Sequence, residues 1–258
     1  MEYGKSGMAV CKALGIDLSE IPEWVCCGAT PAASYDYEIS IGLGMKNLSK
    51  VGGDKSVITP CSACFKNLRS AESYMREQRI QTPAVKHLFQ VIHGDVGLEE
   101  VKTRVIRPLR GLKVASYYGC LLTRVDPSFD SAENPRKLDE LVTVLGAEAV
   151  PFTHKMKCCG GPVILSNHSA SVSMAGMILK AAKASGAYAI VVLCPMCGTM
   201  LDLYQREALR SSGTWSIPVV YFTQLMALAF GLKADDAAME MNVVSTKPVL
   251  EALAGGGR

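Results

Sequence analysis

The sequence predicts an α/β protein built from two related halves, each a small, mainly parallel sheet flanked by helices. Three observations carry that reading. A Cys-Cys-Gly triplet followed by a C-x-x-C occurs twice, as Cys26-Cys27-Gly28 with Cys61-Ser62-Ala63-Cys64 and as Cys158-Cys159-Gly160 with Cys194-Pro195-Met196-Cys197, with 33 and 34 residues between pair and C-x-x-C. Each C-x-x-C follows a short β-like run and precedes a helical periodicity, the strand, cysteine turn, helix order of an α/β unit. The likeness extends outward: Leu14-Gly15 and Leu145-Gly146 close the segments ahead of the pairs, and Pro83–Phe89 resembles Pro218–Leu225 beyond each C-x-x-C. A repeat of about 130 residues is too long for a solenoid unit and reads as a duplicated domain.

In chain order, Ser6–Leu14 reads as a helix stopped by Gly15, followed by an acidic loop into Trp24-Val25 and the first cysteine pair. Tyr37–Lys50 places Ile41, Met45 and Leu48 at helical spacing and ends at Gly52-Gly53. Ser56–Thr59 is a β-like run entering Cys61, and Phe65–Gln78 is rich in helix formers. Phe89–Arg110 is mixed and charged, punctuated by Gly94, Gly97 and Pro108, and holds the link between halves. Lys113–Tyr118 reads as a strand delivering Gly119-Cys120. Asn134-Pro135 can open a helix, proline suiting a first turn, and that helix runs to Leu145. Ser169–Ser185 is a long helix with Val172, Ala175, Leu179 and Ala182 on one face. Ala189–Leu193 is the clearest buried strand; it enters Cys194, and Met196–Ser211 continues as a helix. Ser245–Ala254 reads as a last helix with Pro248 near its start, and Ala254-Gly255-Gly256-Gly257 is expected to fray. The expected division is an N-terminal domain at 1–95, a linker at 96–111, a C-terminal domain at 112–235, and a helix and tail at 236–258.

Composition narrows the function. Hydrophobic residues make up 49% and charged residues 20%, enough for a real core, and the net charge of +3 is spread without a basic block. A nucleic-acid role has no support. No apolar run reaches membrane-spanning length and the N-terminus lacks a signal core, so a cytoplasmic location is expected. Ten cysteines in such a setting point to metal or redox chemistry rather than disulfides.

The cysteine positions suit a metal centre. Helix N-termini carry unpaired N–H groups that favour thiolates, and sites on open α/β sheets gather outside the carboxyl ends of strands. Glycine beside the pairs permits positive φ and lets backbone N–H groups approach a ligand. A lone C-x-x-C also serves zinc, for which four thiolates suffice, as they do for a cubane cluster. The second half offers five, Cys120, Cys158, Cys159, Cys194 and Cys197, which exceeds either need and favours an iron–sulfur centre.

Cys120, Cys158-Cys159-Gly160 and Cys194-x-x-Cys197 match the cysteine-rich CCG domain, and the doubled arrangement resembles the B subunit of heterodisulfide reductase over essentially the whole chain. Tyr118-Gly119-Cys120, Val10–Gly15, Tyr221-Phe222-Thr223-Gln224-Leu225 and Pro248–Leu253 resemble that protein too. The resemblance implies two tandem CCG domains, each holding a noncubane [4Fe–4S] cluster through five cysteines, with a disulfide cleaved between them. Cys120, Cys158, Cys159, Cys194 and Cys197 would hold the second cluster; Cys26, Cys27, Cys61 and Cys64 would supply four of five ligands to the first. Implied partners are the other subunits of such a complex: a small iron–sulfur one with two clusters, plus one that bears flavin. The implied substrate is the CoB–CoM heterodisulfide of methanogenesis or a related disulfide, reduced in one-electron steps. The alternative is an electron relay in a glycolate, lactate, glycerol-3-phosphate or succinate oxidoreductase. Those chains often carry a C-x-x-C-x-x-C-x-x-x-C-P segment, which this sequence lacks.

The first half departs from the pattern. Aligning the repeats on Leu14-Gly15 and Leu145-Gly146 sets Cys11 opposite Val142, and the counterpart of Cys120 falls about a dozen residues before Met1. Cys11 is therefore expected to be a packed core thiol. A start inside an amphipathic segment, without a preceding strand, points to a shortened chain; otherwise the first site holds zinc, a cubane or nothing. His154, Lys155 and Lys157 before the second pair, and Arg124 after Cys120, either bind an anionic substrate and tune a cluster or form a solvated loop. His87, His93 and His168 read as surface or capping residues. No strand–G-x-G-x-x-G–helix unit and no Ser–His–Asp arrangement is present.

Overall fold

Short apolar runs become strands, and every one of them runs parallel to its neighbour. The structure, a computed structural model, describes residues 2–210 and 216–255, the side chain of residue 234 excepted. In the first half β1 (Ser56–Thr59) pairs with β2 (Ala84–His87), in register from Ser56 opposite Ala84 to Thr59 opposite His87. In the second, β3 (Lys113–Tyr117), β4 (Glu148–Ala149), β5 (Ala189–Val192) and β6 (Val219–Tyr221) form a sheet of order β4-β3-β5-β6. Parallel neighbours require crossovers, and helices supply them. All four residues of β5 are buried, which is why that strand reads as an unbroken apolar run.

The helices are α1 (Glu2–Ala13), α2 (Pro31–Tyr35), α3 (Tyr37–Leu48), α4 (Ser62–Glu77), α5 (Leu88–Gln90), α6 (Leu98–Thr103), α7 (Leu121–Val125), α8 (Lys137–Val144), α9 (His168–Ala184), α10 (Pro195–Gly198), α11 (Gln205–Ala208), α12 (Phe222–Ala229), α13 (Ala234–Ala237) and α14 (Lys247–Gly255). Several depart from expectation for local reasons. α4 opens at Ser62 rather than Phe65, because the Cys61 sulfur accepts the Cys64 N–H at 3.5 Å and caps the turn. α8 opens at Lys137, not at Asn134-Pro135, because the Tyr118 hydroxyl accepts the N–H groups of Leu138 and Asp139, both at 3.0 Å. The helix expected over Met196–Ser211 is interrupted by a π-helical turn at Thr199–Leu203, and Ser211 lies outside the described residues. On that turn Asp202 accepts the N–H groups of Val243 and Val244 at 2.7 and 2.9 Å, tying down the C-terminal segment. Phe89–Arg110 is largely helical, with a π-helical turn at Val91–Gly97 leading into α6.

The halves correspond around their C-x-x-C segments, β1 and β2 to β5 and β6, while β3 and β4 have no counterpart among the described residues of the first half. β1 leads to Cys61 and β5 to Cys194, and the strands beside them end alike: Gln90 Oε1 accepts the His87 N–H at 2.9 Å, and Gln224 Oε1 accepts the Tyr221 N–H at 3.0 Å. His87 therefore corresponds to Tyr221, and the likeness that sets Pro83 against Pro218 is one residue out. After α1 and α8 the chain turns on Gly15 and Gly146, at φ +72° and +86°. There the Ile16 N–H returns to the Cys11 carbonyl at 2.9 Å and the Ala147 N–H to Val142 at 3.1 Å. Cys11 stands opposite Val142, as the repeat alignment has it.

The halves also interlock. α1 packs on α12: the Tyr3 ring stacks on Tyr221 with centroids 4.1 Å apart, its hydroxyl donates to the Leu193 carbonyl at 3.0 Å, and Ser6 Oγ meets Thr223 Oγ1 at 2.7 Å. One hydrophobic cluster runs through both halves. No helix among the described residues is long and apolar enough to cross a membrane.

Candidate metal centre

Both Cys-Cys-Gly loops are built the same way. Gly160 and Gly28 take φ +86° and +81°, the left-handed region that favours glycine. Each glycine carbonyl then accepts a hydrogen bond from a buried serine on a following helix, Ser171 Oγ of α9 at 2.7 Å and Ser40 Oγ of α3 at 2.9 Å. In the first loop Asn67 adds a clamp: its Nδ2 donates to the carbonyls of Cys27 and Ser40, and its Oδ1 accepts from Ser40 Oγ at 2.9 Å. The second loop is pinned from the sheet side instead. The Tyr118 and Gly119 N–H groups donate to the Lys155 carbonyl at 3.0 and 3.2 Å, and the Tyr117 hydroxyl donates to the Lys157 carbonyl at 2.5 Å. Ser171→Ala leaves the Gly160 carbonyl without its side-chain partner. It is expected to cost about 1–2 kcal/mol in denaturant unfolding, and no change would mean that the serine does not hold the loop.

These loops gather nine cysteines into one array. Cys26 adjoins Cys27, whose Sγ lies 3.0 Å from Cys64 Sγ. Cys64 adjoins Cys61, and Cys61 Sγ lies 4.0 Å from Cys194 Sγ across the boundary between halves. From Cys194 the contacts continue through Cys197, Cys159 and Cys158 to Cys120. Cys26 is exposed at one end, whereas Cys159, Cys194 and Cys197 are buried.

Crowding sets the electrostatics. Hydrogen bonds from neighbouring thiols hold Cys158 and Cys194 well below the usual thiol range. The donors of those bonds are pushed up: Cys120 by its bond to Cys158, Cys197 by its bonds to Cys159 and Cys194, and both further by burial. Adjacent thiolates at this spacing cannot all ionise without a compensating cation. A metal centre would provide it.

Cys120, Cys158, Cys159, Cys194 and Cys197 all line one pocket, together with Ser62, Met196 and Pro162. The cavity is about 20 Å³, so the fit to an iron–sulfur group is one of donor chemistry rather than ready-made room. Among the described residues no three Cys, His, Asp or Glu side chains converge on a single-ion site. The donors form a string of sulfurs, and cysteines clustered in this way are consistent with iron–sulfur binding. The N–H groups of Gly160 and Gly161 approach the sulfurs of Cys158 and Cys159, each at 3.4 Å, the kind of contact that tunes a cluster.

The remaining candidates separate. Cys11 is buried on α1, and burial pushes its thiol up to about 11, as for a core residue. Arg124 is exposed on α7 and its charge favours the thiolates of Cys120 and Cys158. Lys155 is committed to scaffold, donating to the Pro135 carbonyl at 2.7 Å and facing Asp139 at 3.6 Å. His154 bonds Thr153 at 2.9 Å and stacks on Phe152, and Lys157 is exposed. His87 does cap, accepting the Phe89 N–H at 3.1 Å, but it is fully buried and not on the surface; burial pushes its pKa down to about 4. Tyr117 and Tyr3, buried beside the array, were not singled out from the sequence, and Tyr221, on which Tyr3 stacks, only as part of a family-like segment. The strand-end position of Tyr117, three residues before Cys120, is the signal that points to it.

An α/β protein of two related halves that gathers cysteines at its strand ends defines a class, and comparison places the chain in it. The family model for the cysteine-rich domain, CCG, matches residues 1–69 and 114–202, and the chain belongs to that family. Within it, the chain is homologous to the B subunit of heterodisulfide reductase. It is 31% identical over 255 residues to the B subunit of the ferredoxin:CoB-CoM heterodisulfide reductase of Methanosarcina mazei, covering 90% of this chain and 85% of the relative. It is also 33% identical over 263 residues to the 8-methylmenaquinol:fumarate reductase membrane anchor subunit of Wolinella succinogenes, covering 95% of this chain and 92% of that one. A crystal structure of a hypothetical protein from Helicobacter pylori shares the fold, with a TM-score of 0.72 at 12% identity, covering 95% of this chain. This chain spans about half, 49%, of that one.

Proposed function

We propose that the chain is the iron–sulfur subunit of a multi-subunit oxidoreductase and that it reduces a disulfide to two thiols. Cys120, Cys158, Cys159, Cys194 and Cys197 hold one [4Fe–4S] centre of the noncubane kind the family resemblance implies. Cys26, Cys27, Cys61 and Cys64 contribute to a second. The supporting observation is the 4.0 Å approach of Cys61 Sγ to Cys194 Sγ, which sets the two ligand groups side by side. When bound, such centres supply electrons singly. Cleaving R–S–S–R takes two electrons and two protons and yields two R–SH, a stoichiometry that two adjacent one-electron carriers match. The protein's own part is to position the loops through Ser40, Asn67 and Ser171 and to exclude water with Tyr117, Tyr118 and Leu122, all buried. Electrons arrive from partner subunits, by resemblance a small two-cluster chain and a flavin-bearing one.

A second reading, an electron relay without disulfide chemistry, is favoured by the 33% identity to a chain named for a menaquinol:fumarate reductase. Anaerobically purified protein tests both. Iron and acid-labile sulfide near four each per centre, with disulfide-dependent oxidation of reduced viologen giving two thiols per disulfide, is the expected result. Iron and sulfide without that oxidation favours the relay, and zinc in place of iron rejects both.

A further inference from the structure

We propose that the disulfide reaches the sulfur array through an uncharged groove beside it, so that the part of the substrate taken there is neutral and apolar; this rests on the disulfide-reducing reading above. The groove is a cavity of about 580 Å³, in the size range of small-molecule sites. It lies between the segments that follow the two Cys-Cys-Gly triplets: Pro31 stands on one side, Ile164 and Leu165 on the other, and Met196, Met200 and Tyr204 line the rest of the wall. Serines, a threonine pair, a glycine and a proline complete it, and no charged side chain lines it.

Two residues connect this groove to the sulfurs. Pro162 and Met196 line both the groove and the pocket shared by the five second-half cysteines. The Met196 side chain lies against Gly161, where an added Cβ would stand 2.7 Å from its Sδ. A flexible thioether resting on a bare glycine is an adaptable partition, able to repack around an apolar guest. At the rim, Leu165 is 85% exposed, a large apolar side chain held out in solvent.

Charges nearby are spoken for or face elsewhere. His168 packs edge-on against Tyr204 and lies 3.6 Å from Glu207, behind that wall and outside the groove's lining. Arg124 acts on Cys120 and Cys158 but lines neither cavity, and Lys155 is held by Pro135 and Asp139. A carboxylate, sulfonate or phosphate entering the groove would shed hydration with no cation to receive it. Charge complementarity thus selects a neutral occupant.

The test uses full-chain, iron-loaded protein under anaerobic conditions. Ligand-observed NMR titration compares diallyl sulfide with 2,2′-thiodiacetate, neither of which can be reduced by S–S cleavage. Diallyl sulfide is expected to bind about tenfold more tightly or better. L165K, at an exposed rim position, is expected to close most of that gap by favouring the dianion. Viologen-linked reduction of diallyl disulfide against 2,2′-dithiodiacetate should show the same order in kcat/KM. Equal or tighter binding of the dianion to the unaltered protein overturns the inference, as does an unchanged ratio in L165K. Failure of both thioethers to bind also overturns it, leaving the groove to a partner protein. Binding of diallyl sulfide without reduction of diallyl disulfide sustains the groove and overturns the disulfide-reducing reading alone.

Discussion

Cys159→Ala is expected to strip the second-half centre from the protein, lowering iron and acid-labile sulfide by about four each per chain and abolishing that centre's spectroscopic signal. Cys159 is buried, lines the pocket, and touches both Cys158 and Cys197. Its loss breaks the string of sulfurs in the middle of the second-half set. Cys11→Ala is the matched control, since that thiol is equally buried but sits in the core on α1. It is expected to lower stability without changing iron content or the visible spectrum. Unchanged iron in Cys159→Ala, or iron lost in Cys11→Ala, would contradict the ligand assignment.

Gly160→Ala is expected to cost about 2–5 kcal/mol of stability and to impair reconstitution of the second-half centre. Two effects add. The left-handed φ of +86° penalises any side chain, and a Cβ here would stand 2.7 Å from the Ser171 carbonyl oxygen and 2.8 Å from its Cα. Backbone cannot swing away as a side-chain end can. Gly186→Ala separates the two effects, because Gly186 has φ +78° with nothing within 4 Å of the added atom. It should show the strain alone, about 1–2 kcal/mol, with iron content intact. Equal costs for the two variants in denaturant unfolding would show that the close approach to α9 is not what demands glycine.

Much of this was legible in the sequence, and the rest was hidden for identifiable reasons. The cysteine spacings located both Cys-Cys-Gly loops and the ends of β1 and β5, because paired cysteines followed by glycine suit a tight turn rather than a helix or strand interior. β5 was plain because it is buried on both faces. β2, β4 and β6 were not assigned as strands: β4 and β6 are two and three residues long, too short for a pattern to register, and β2 sets Lys86 and His87 after only two apolar residues. The break at Thr199–Leu203 was not legible, and the contacts that turn makes are tertiary: Asp202 on it accepts from Val243 and Val244, 41 and 42 residues away. The 4.0 Å meeting of Cys61 with Cys194 joins residues 133 apart. Two separate motifs could be read from the repeat; their union across the boundary depends on how the halves dock.

The docking of α1 on α12 bears on biosynthesis. Tyr3 and Ser6 emerge from the ribosome more than two hundred residues before Tyr221 and Thr223, their partners. At ordinary translation speed the apolar face of the first helix stays uncovered for roughly 10–40 s. Cys26, Cys27, Cys61 and Cys64 are all made before Cys194, the residue whose Sγ Cys61 meets at 4.0 Å. Completion of the fold is thereby deferred until nearly the entire length of the polypeptide has been made.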